Sequence, residues 1–457
     1  MSQLIAEISK NIHLILLFFL IYSCNKNDDY TSSGVQIILA SGNENYLNQP
    51  SDSIFNQNNL PTFEINLPDG ALAYINSDPA AEEYVEGSLT FNGETISPIG
   101  IRYKGSIGAF VGGVSGTDWT NPSGHKTATK LSMKFKIDWK GYNSTFYNLK
   151  TLQLHSMNLD PSQLHDRLGY WLFKQMGVPS PRAIHVKLYI NGEYNGIFSL
   201  VEQIDEQFAE YHFSGGAGNI YKEVWPLKSN GHVQSDKKFY KALVTNKTKG
   251  ANNNIIKSFA EHIVNANDID IKAVIEDYME VNQMLSYAVV DRAIRHDDGP
   301  FHWYCDWSQC EPHNFFWYEN PSTRKIHLIP WDLDNSFENI IENTNPVTPI
   351  ADDWGDTTNN CQTFNYGEWN ITQKSAACDR IIGGLGRFEV EYQLLKDSLI
   401  NGPLAEQTVN FLIDQWVNQI RNATIDANQL HSDALTLTDW ENAITRLKSQ
   451  LEHARNH

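Results

Sequence analysis

The six residues Asn191-Gly192-Glu193-Tyr194-Asn195-Gly196 constrain this chain more than any other feature. Asn-Gly supplies the left-handed backbone positions of a tight hairpin, and the apolar runs at 184–190 and 197–204 read as its two strands. More β-structure precedes it. Segments 62–67, 87–91 and 99–103 are strand-like and broken by Asp-Gly and Asn-Gly turns. After a Gly-rich loop at 105–124, Lys130-Leu-Ser-Met-Lys-Phe-Lys-Ile137 alternates, with Lys130, Lys134 and Lys136 on one face. Helical spacing then takes over. Leu164, Leu168, Trp171, Leu172 and Met176 recur at three and four before Gly177, and residues 273–294 read as one long apolar helix. A second hairpin at 314–329 is followed by amphipathic helices at 389–399, 405–420 and 440–453. The fold class is α+β, with a β-rich N-terminal part and a mainly helical C-terminal part. No internal repeat or second linker divides it, so 62–457 reads as a single domain.

The first residues carry an export pattern. Lys10 and His13 flank the apolar run Leu14-Ile-Leu-Leu-Phe-Phe-Leu-Ile-Tyr22, which is short for a membrane span and ends at Ser23-Cys24. Residues 1–24 therefore read as a lipoprotein signal peptide, with Cys24 the acylated residue; an ordinary secreted protein cut nearby, or an uncleaved anchor, is the rival. Residues 25–61, rich in Ser, Asn, Asp and Gln, read as a flexible tether between lipid and fold. Outside the cytoplasm disulfides persist, and Cys305, Cys310, Cys361 and Cys378 remain. Pairing 305 with 310 and 361 with 378 joins those closest in sequence. A zinc site using His302 and His313 is the alternative, although the spacing fits no familiar pattern. A formal charge of −19 argues against nucleic acid or anionic lipid as partner and implies that a bound nucleotide needs a metal ion.

Three groups of acidic or amide residues follow the long helix in order: Asp298 in His296-Asp-Asp-Gly299, Asn314 before the second hairpin, and Asp332 with Asp334 after it. In phosphoryl transfer a first Asp orients the attacking hydroxyl, while an Asn and a later Asp supply oxygens to the metal on the phosphates. The residues also carry a resemblance. Asn314-Phe-Phe-Trp-Tyr318 and Leu328-Ile-Pro-Trp-Asp-Leu-Asp334 are similar to the signature of the CotH kinase family, atypical secreted protein kinases. Ile101-Arg-Tyr-Lys-Gly-Ser106, the lysine strand from Lys130 and the 191–205 hairpin resemble its upstream blocks. The resemblance implies a bilobal, kinase-like fold that binds ATP with Mg or Mn and phosphorylates Ser or Thr of secreted or surface proteins, as a monomer held by its lipid. It assigns Asp298 to catalysis, Asn314 and Asp332 to the metal, Lys130 or Lys134 to the phosphates, and Glu202 to the neighbourhood of the hinge; Asp334, paired with Asp332 after Trp331, reads as a further metal ligand, and Arg102 as a further contact to the phosphates.

Other readings of the same residues stand beside these. Asp298 before Gly299-Pro300 is also a turn residue, with Asp297 as its substitute; Asn314 also caps a hairpin. Arg102 and Lys104 read equally as solvent-facing, and Glu202 equally as the partner of a buried arginine such as Arg167. The Asp332–Asp334 pair lacks the Gly and Glu of a calcium loop. Between Asp298 and Asn314 lies an insertion longer than the family pattern, carrying Cys305 and Cys310. Should it displace either residue, the chain becomes a non-catalytic kinase-like lipoprotein that binds a protein or glycan. Metal-dependent hydrolysis would require a tighter acid cluster.

Overall fold

The computed structural model describes residues 30–32, 35–37, 50–105, 107–110, 112–118, 120–214, 216, 218–247, 252–306, 309–341, 361–366 and 371–457. Residues 1–24, read above as a signal peptide ending at Cys24, and Ser106 lie outside these. The chain divides into two units, 1–39 and 40–457. In the first, Tyr30–Ser32 pairs antiparallel with Val35–Ile37.

The second unit is built on a closed seven-stranded barrel. Its strands are β1 (Thr62–Asn66), β2 (Val85–Phe91), β3 (Glu94–Tyr103), β4 (Met133–Lys136), β5 (Thr151–His155), β6 (Ala183–Ile190) and β7 (Glu193–Val201). They are ordered β1-β2-β3-β4-β5-β7-β6, and β1 closes on β6 in parallel. Period-two alternation sorts the side chains. Ile101, Tyr103, Met133, Phe135, Leu152 and Leu154 are buried in the barrel core, whereas Arg102, Lys134 and Gln153 stand in register across β3, β4 and β5 on the opposite face. The β6–β7 hairpin turns at Asn191 and Gly192, both with positive φ, as Asn-Gly requires.

Beyond the barrel, β8 (Asn219–Lys222), β11 (Phe315–Glu319) and β12 (Ile326–Pro330) form a three-stranded sheet. A four-stranded sheet, ordered β10-β9-β14-β13, joins β9 (Trp303–Asp306), β10 (Gln309–Glu311), β13 (Phe364–Tyr366) and β14 (Ile371–Lys374). The longer helices are α1 (His165–Gln175), α2 (Asn254–Asn265), α3 (Ile271–Tyr278), α4 (Val281–Ala293), α5 (Glu389–Asn401), α6 (Glu406–Leu430) and α7 (Leu437–Asn456). The unit is thus mixed α+β, and no helix among the described residues is long and apolar enough to cross a membrane.

Three expectations need correction. The long helix at 273–294 is two helices, α3 and α4, because Met279 is extended and bridges Ile326 of β12 while Lys325 Nζ takes the carbonyls of Glu276 and Met279. A tertiary bridge of this kind leaves no mark on apolar periodicity. The lysine strand covers only Met133–Lys136, so Lys130 precedes it and does not share the face of Lys134. Packed structure also begins before Thr62. Ile54 and Phe55 are buried in the barrel core, and Arg182 lies 4.4 Å over the Phe55 ring while pairing with Asp52 at 2.9 Å. Phe55→Ala is therefore expected to cost about 3–5 kcal/mol of unfolding free energy, as core Phe truncations do. Urea titration checks it, and an unchanged midpoint would return this segment to the tether.

Candidate functional site

A cleft of about 630 Å³ opens between the polar face of the barrel and the loops of the three-stranded sheet. From the barrel come Arg102, Lys104 and Lys134; from the opposite wall come Asp298, Asn314, Asp332 and Asp334. Arg102 is paired with Glu82 at 2.6 Å. Lys134 has its ammonium lowered to about 8, chiefly by burial and then by the neighbouring charges of Lys104 and Arg102.

Of the three cations, Lys104 is the one that Asp332 and Asp334 attract. Its Nζ donates to His155 Nε2 at 2.9 Å, and His155 Nδ1 donates in turn to Asp166 Oδ2 at 2.9 Å. Burial lowers the Lys104 ammonium, against the attraction of Asp332, Asp166 and Asp334. Burial would raise the Asp166 carboxyl, yet His155, Ser199 and Lys104 together hold it below its ordinary value. Trp331 closes the base of the arrangement, 5.5 Å from Lys104 Nζ and edge-on to His155.

The acidic wall is set by backbone that few residues adopt. Asn314 and Asp332 sit at φ 52° and 56°, the left-handed region that Asn and Asp tolerate better than most. The Asp332 peptide is gripped from both sides: its N–H donates to Tyr170 Oη of α1, and its carbonyl accepts from His296 Nε2. His165 Nδ1 donates to the Asp334 carbonyl. Leu333, between the two acids, packs so closely on Gly169 that a Cβ there would meet its Cδ1 at 2.6 Å. Helix α1 thereby fixes where both carboxylates emerge.

The insertion does not separate Asp298 from Asn314. Asn314 Nδ2 donates to Asp298 Oδ2 at 2.6 Å, and Tyr304, carried on the insertion, donates to Oδ1 at 2.7 Å. Tyr304 is held by stacking on His313, with ring centroids 4.2 Å apart, and by the Cys305–Cys310 disulfide across β9 and β10. Cys361 and Cys378 form the second disulfide, so the zinc alternative falls away. Among the described residues none between 299 and 313 lines the cleft. Burial raises the Asp298 carboxyl, opposed by His313 and by the Tyr304 hydroxyl. Asp297 is bound to Asn339 and faces away from the cleft.

Two of the anticipated residues stand elsewhere. Lys130 lines a separate cavity. Glu202 is buried and its carboxylate is fully engaged, accepting from Arg182 Nη2 at 2.6 Å and His212 Nε2 at 3.1 Å; its arginine is Arg182, and Arg167 instead bonds Gln57, His185 and Gln419. His155, Asp166 and Tyr304 were not anticipated as site residues and carried no sequence signal; Lys104, two residues after Arg102 at the end of a strand, read with it as either a phosphate contact or a solvent-facing residue, and it lines the cleft.

A divalent cation suits this donor set in one respect and is limited in another. Asp334, with a carboxyl raised well above its ordinary value by burial and by Asp332, Asp166 and Asp298, stands among more negative charge than Lys104 alone offsets. Yet among the described residues no three His, Cys, Asp or Glu side chains are grouped to hold a metal by themselves. The oxygens of Asp332, Asp334 and Asn314 therefore fit a hard cation such as Mg²⁺, which takes one or two carboxylates and completes its shell with water and phosphate.

Fold and cleft define an α+β barrel protein that gathers carboxylates against lysines in one polar crevice. The chain belongs to the CotH kinase protein family, whose sequence pattern matches residues 101–456 and so contains every cleft residue named above except Glu82. Over 64 residues it is 38% identical to the inner spore coat protein H-like protein of Bacillus subtilis (strain 168), a stretch covering 14% of this chain and 20% of that protein. The chain thus matches about a fifth of the length of that curated relative. The two disulfides suggest an extracytoplasmic protein.

Proposed function

We propose that this chain is a bilobal, atypical protein kinase acting outside the cytoplasm, transferring the γ-phosphoryl group of ATP to Ser or Thr hydroxyls of secreted or surface proteins. The observation that carries this reading is the meeting of Asp298, Asn314, Asp332 and Asp334 with Lys104 and Lys134 in one cleft. A bound Mg²⁺ or Mn²⁺ would neutralise phosphate charge there, held by Asp332, Asp334 and Asn314. Lys104 and Lys134 present cations to the phosphates. Asp298 orients the acceptor hydroxyl and takes its proton as the oxygen bonds to the γ-phosphorus, while the bond to the β-phosphate oxygen breaks and ADP departs. Anchoring through Cys24 would keep this activity at a membrane surface.

The test is transfer of labelled γ-phosphate by the purified protein with Mg²⁺ or Mn²⁺, set against Asp298→Ala and Asp332→Ala. Transfer lost in both variants establishes activity and site together; no transfer and no metal-dependent ATP binding in the parent protein would refute the proposal. Within it Tyr304→Phe isolates the insertion's part. Loss of one hydrogen bond to a charged oxygen is expected to lower kcat by about tenfold, with the KM for ATP and the melting temperature unchanged because the ring still stacks on His313. An unaltered kcat would make the insertion a bystander.

A further inference from the structure

Lys130, left outside the cleft, lines a cavity of about 360 Å³ between the barrel and the segment joining α6 to α7. Its stem lies against Gly196, where φ is +111° and an added Cβ would stand 3.3 Å from Lys130 Cδ; only glycine combines that backbone with that approach. The ammonium sits 5.1 Å over the Phe198 ring and makes no hydrogen bond among the described residues. Asp160 and Asp433 attract it, but their oxygens are already engaged. Asp160 accepts from Ser162 Oγ and from the N–H groups of Gln163 and His165, and Asp433 accepts from Thr129 N and Oγ1. Burial brings the Lys130 ammonium down to about 8.

A half-buried cation with no hydrogen-bond partner among the described residues, in a cavity of ligand size, is a binding feature. Further donors lie beside it: Gln163 has its Oε1 engaged by Thr424, leaving Nε2, and Asn195 has a second amide hydrogen. Met157, Ile197 and Leu435 supply an apolar wall. A single carboxylate can take the Lys130 ammonium and these amides as its donors, whereas phosphate, a dianion, would meet twice the repulsion from Asp160 and Asp433. We infer that this cavity is a second ligand site, taking a small carboxylate with a short apolar body, its carboxylate on Lys130 and its hydrocarbon against Met157, Ile197 and Leu435.

The inference does not depend on the kinase reading, because its test reads binding alone. Butyrate is titrated into the full chain, with n-butanol and inorganic phosphate as controls, while the melting temperature and calorimetric heat are followed. At a hundredfold excess over its dissociation constant, butyrate is expected to raise the melting temperature by about 3 °C, with one site per chain, and n-butanol to do nothing. Lys130→Met, which keeps the stem and removes the charge, should abolish the rise. Ala434→Phe, which fills the cavity and leaves Lys130 in place, should abolish it independently should the first variant fold poorly. A rise that survives in both variants, an equal rise with phosphate, or no rise with butyrate would each overturn the assignment.

Discussion

Asp298→Ala is expected to lower kcat for phosphoryl transfer by about 10²–10⁴-fold, the contribution of a positioned general base. Both oxygens of Asp298 are fixed, one by Tyr304 and one by Asn314, so the residue presents a defined lone pair to the cleft. Burial keeps its carboxyl above the ordinary range, which brings its basicity nearer to that of a proton acceptor working at neutral pH. The fold should tolerate the change, since removing a carboxylate that burial disfavours leaves two donors, Tyr304 Oη and Asn314 Nδ2, at a cleft open to water. The KM for ATP should move far less than kcat, because Asp332, Asp334, Lys104 and Lys134 are untouched. Initial rates at saturating ATP and Mg²⁺ check this, alongside the melting temperature. A variant that keeps more than half the parent rate would remove Asp298 from the chemistry, and Asp297 could not then be its substitute, since it is bound to Asn339 away from the cleft.

The acidic wall was legible in the sequence, as were Arg102 and Lys134 of the basic wall, but the His155–Asp166 pair that holds Lys104 was not, for a physical reason. Asp298, Asn314, Asp332 and Asp334 are placed by local chain: a helix end, a hairpin start and a hairpin end. Their order along the sequence therefore carries over to space. Lys104 meets His155 because β3, β4 and β5 pair in register, and His155 meets Asp166 because α1 packs under the barrel. No spacing along the chain encodes either meeting. Choosing between Lys130 and Lys134 by strand parity failed for a related reason, since parity holds only inside a strand and β4 begins at Met133. The insertion shows the converse. Its length looked able to part Asp298 from Asn314, but a stapled hairpin returns the chain to its starting point, so sequence separation across it says little about distance.

The second large effect expected is on stability. Glu202→Ala should cost about 3–5 kcal/mol, as breaking a buried ion pair from one side does. Arg182 would be left buried with Asp52 and Ser51 on its other nitrogen, its own backbone N–H would lose an acceptor, and His212 would lose one of its partners. Arg182 also stacks on Phe55 and Tyr211, so the damage should reach the core-packed segment that carries Ile54 and Phe55. A pH dependence follows with a definite sign. Burial would raise the Glu202 carboxyl, but Arg182 and His212 overcome it and hold it at about 2, below the ordinary 4.5. A folded-state value below the unfolded one adds stability that is fully present above about pH 4.5 and is lost as pH falls toward 2. Urea titrations with the disulfides intact should therefore show the parent losing its advantage over Glu202→Ala between pH 5 and about 2, while the gap stays constant from pH 5 to 7. Equal stability at neutral pH would mean that water or Asp52 replaces the carboxylate without loss, and the site beneath the β6–β7 hairpin would then be held by apolar packing alone.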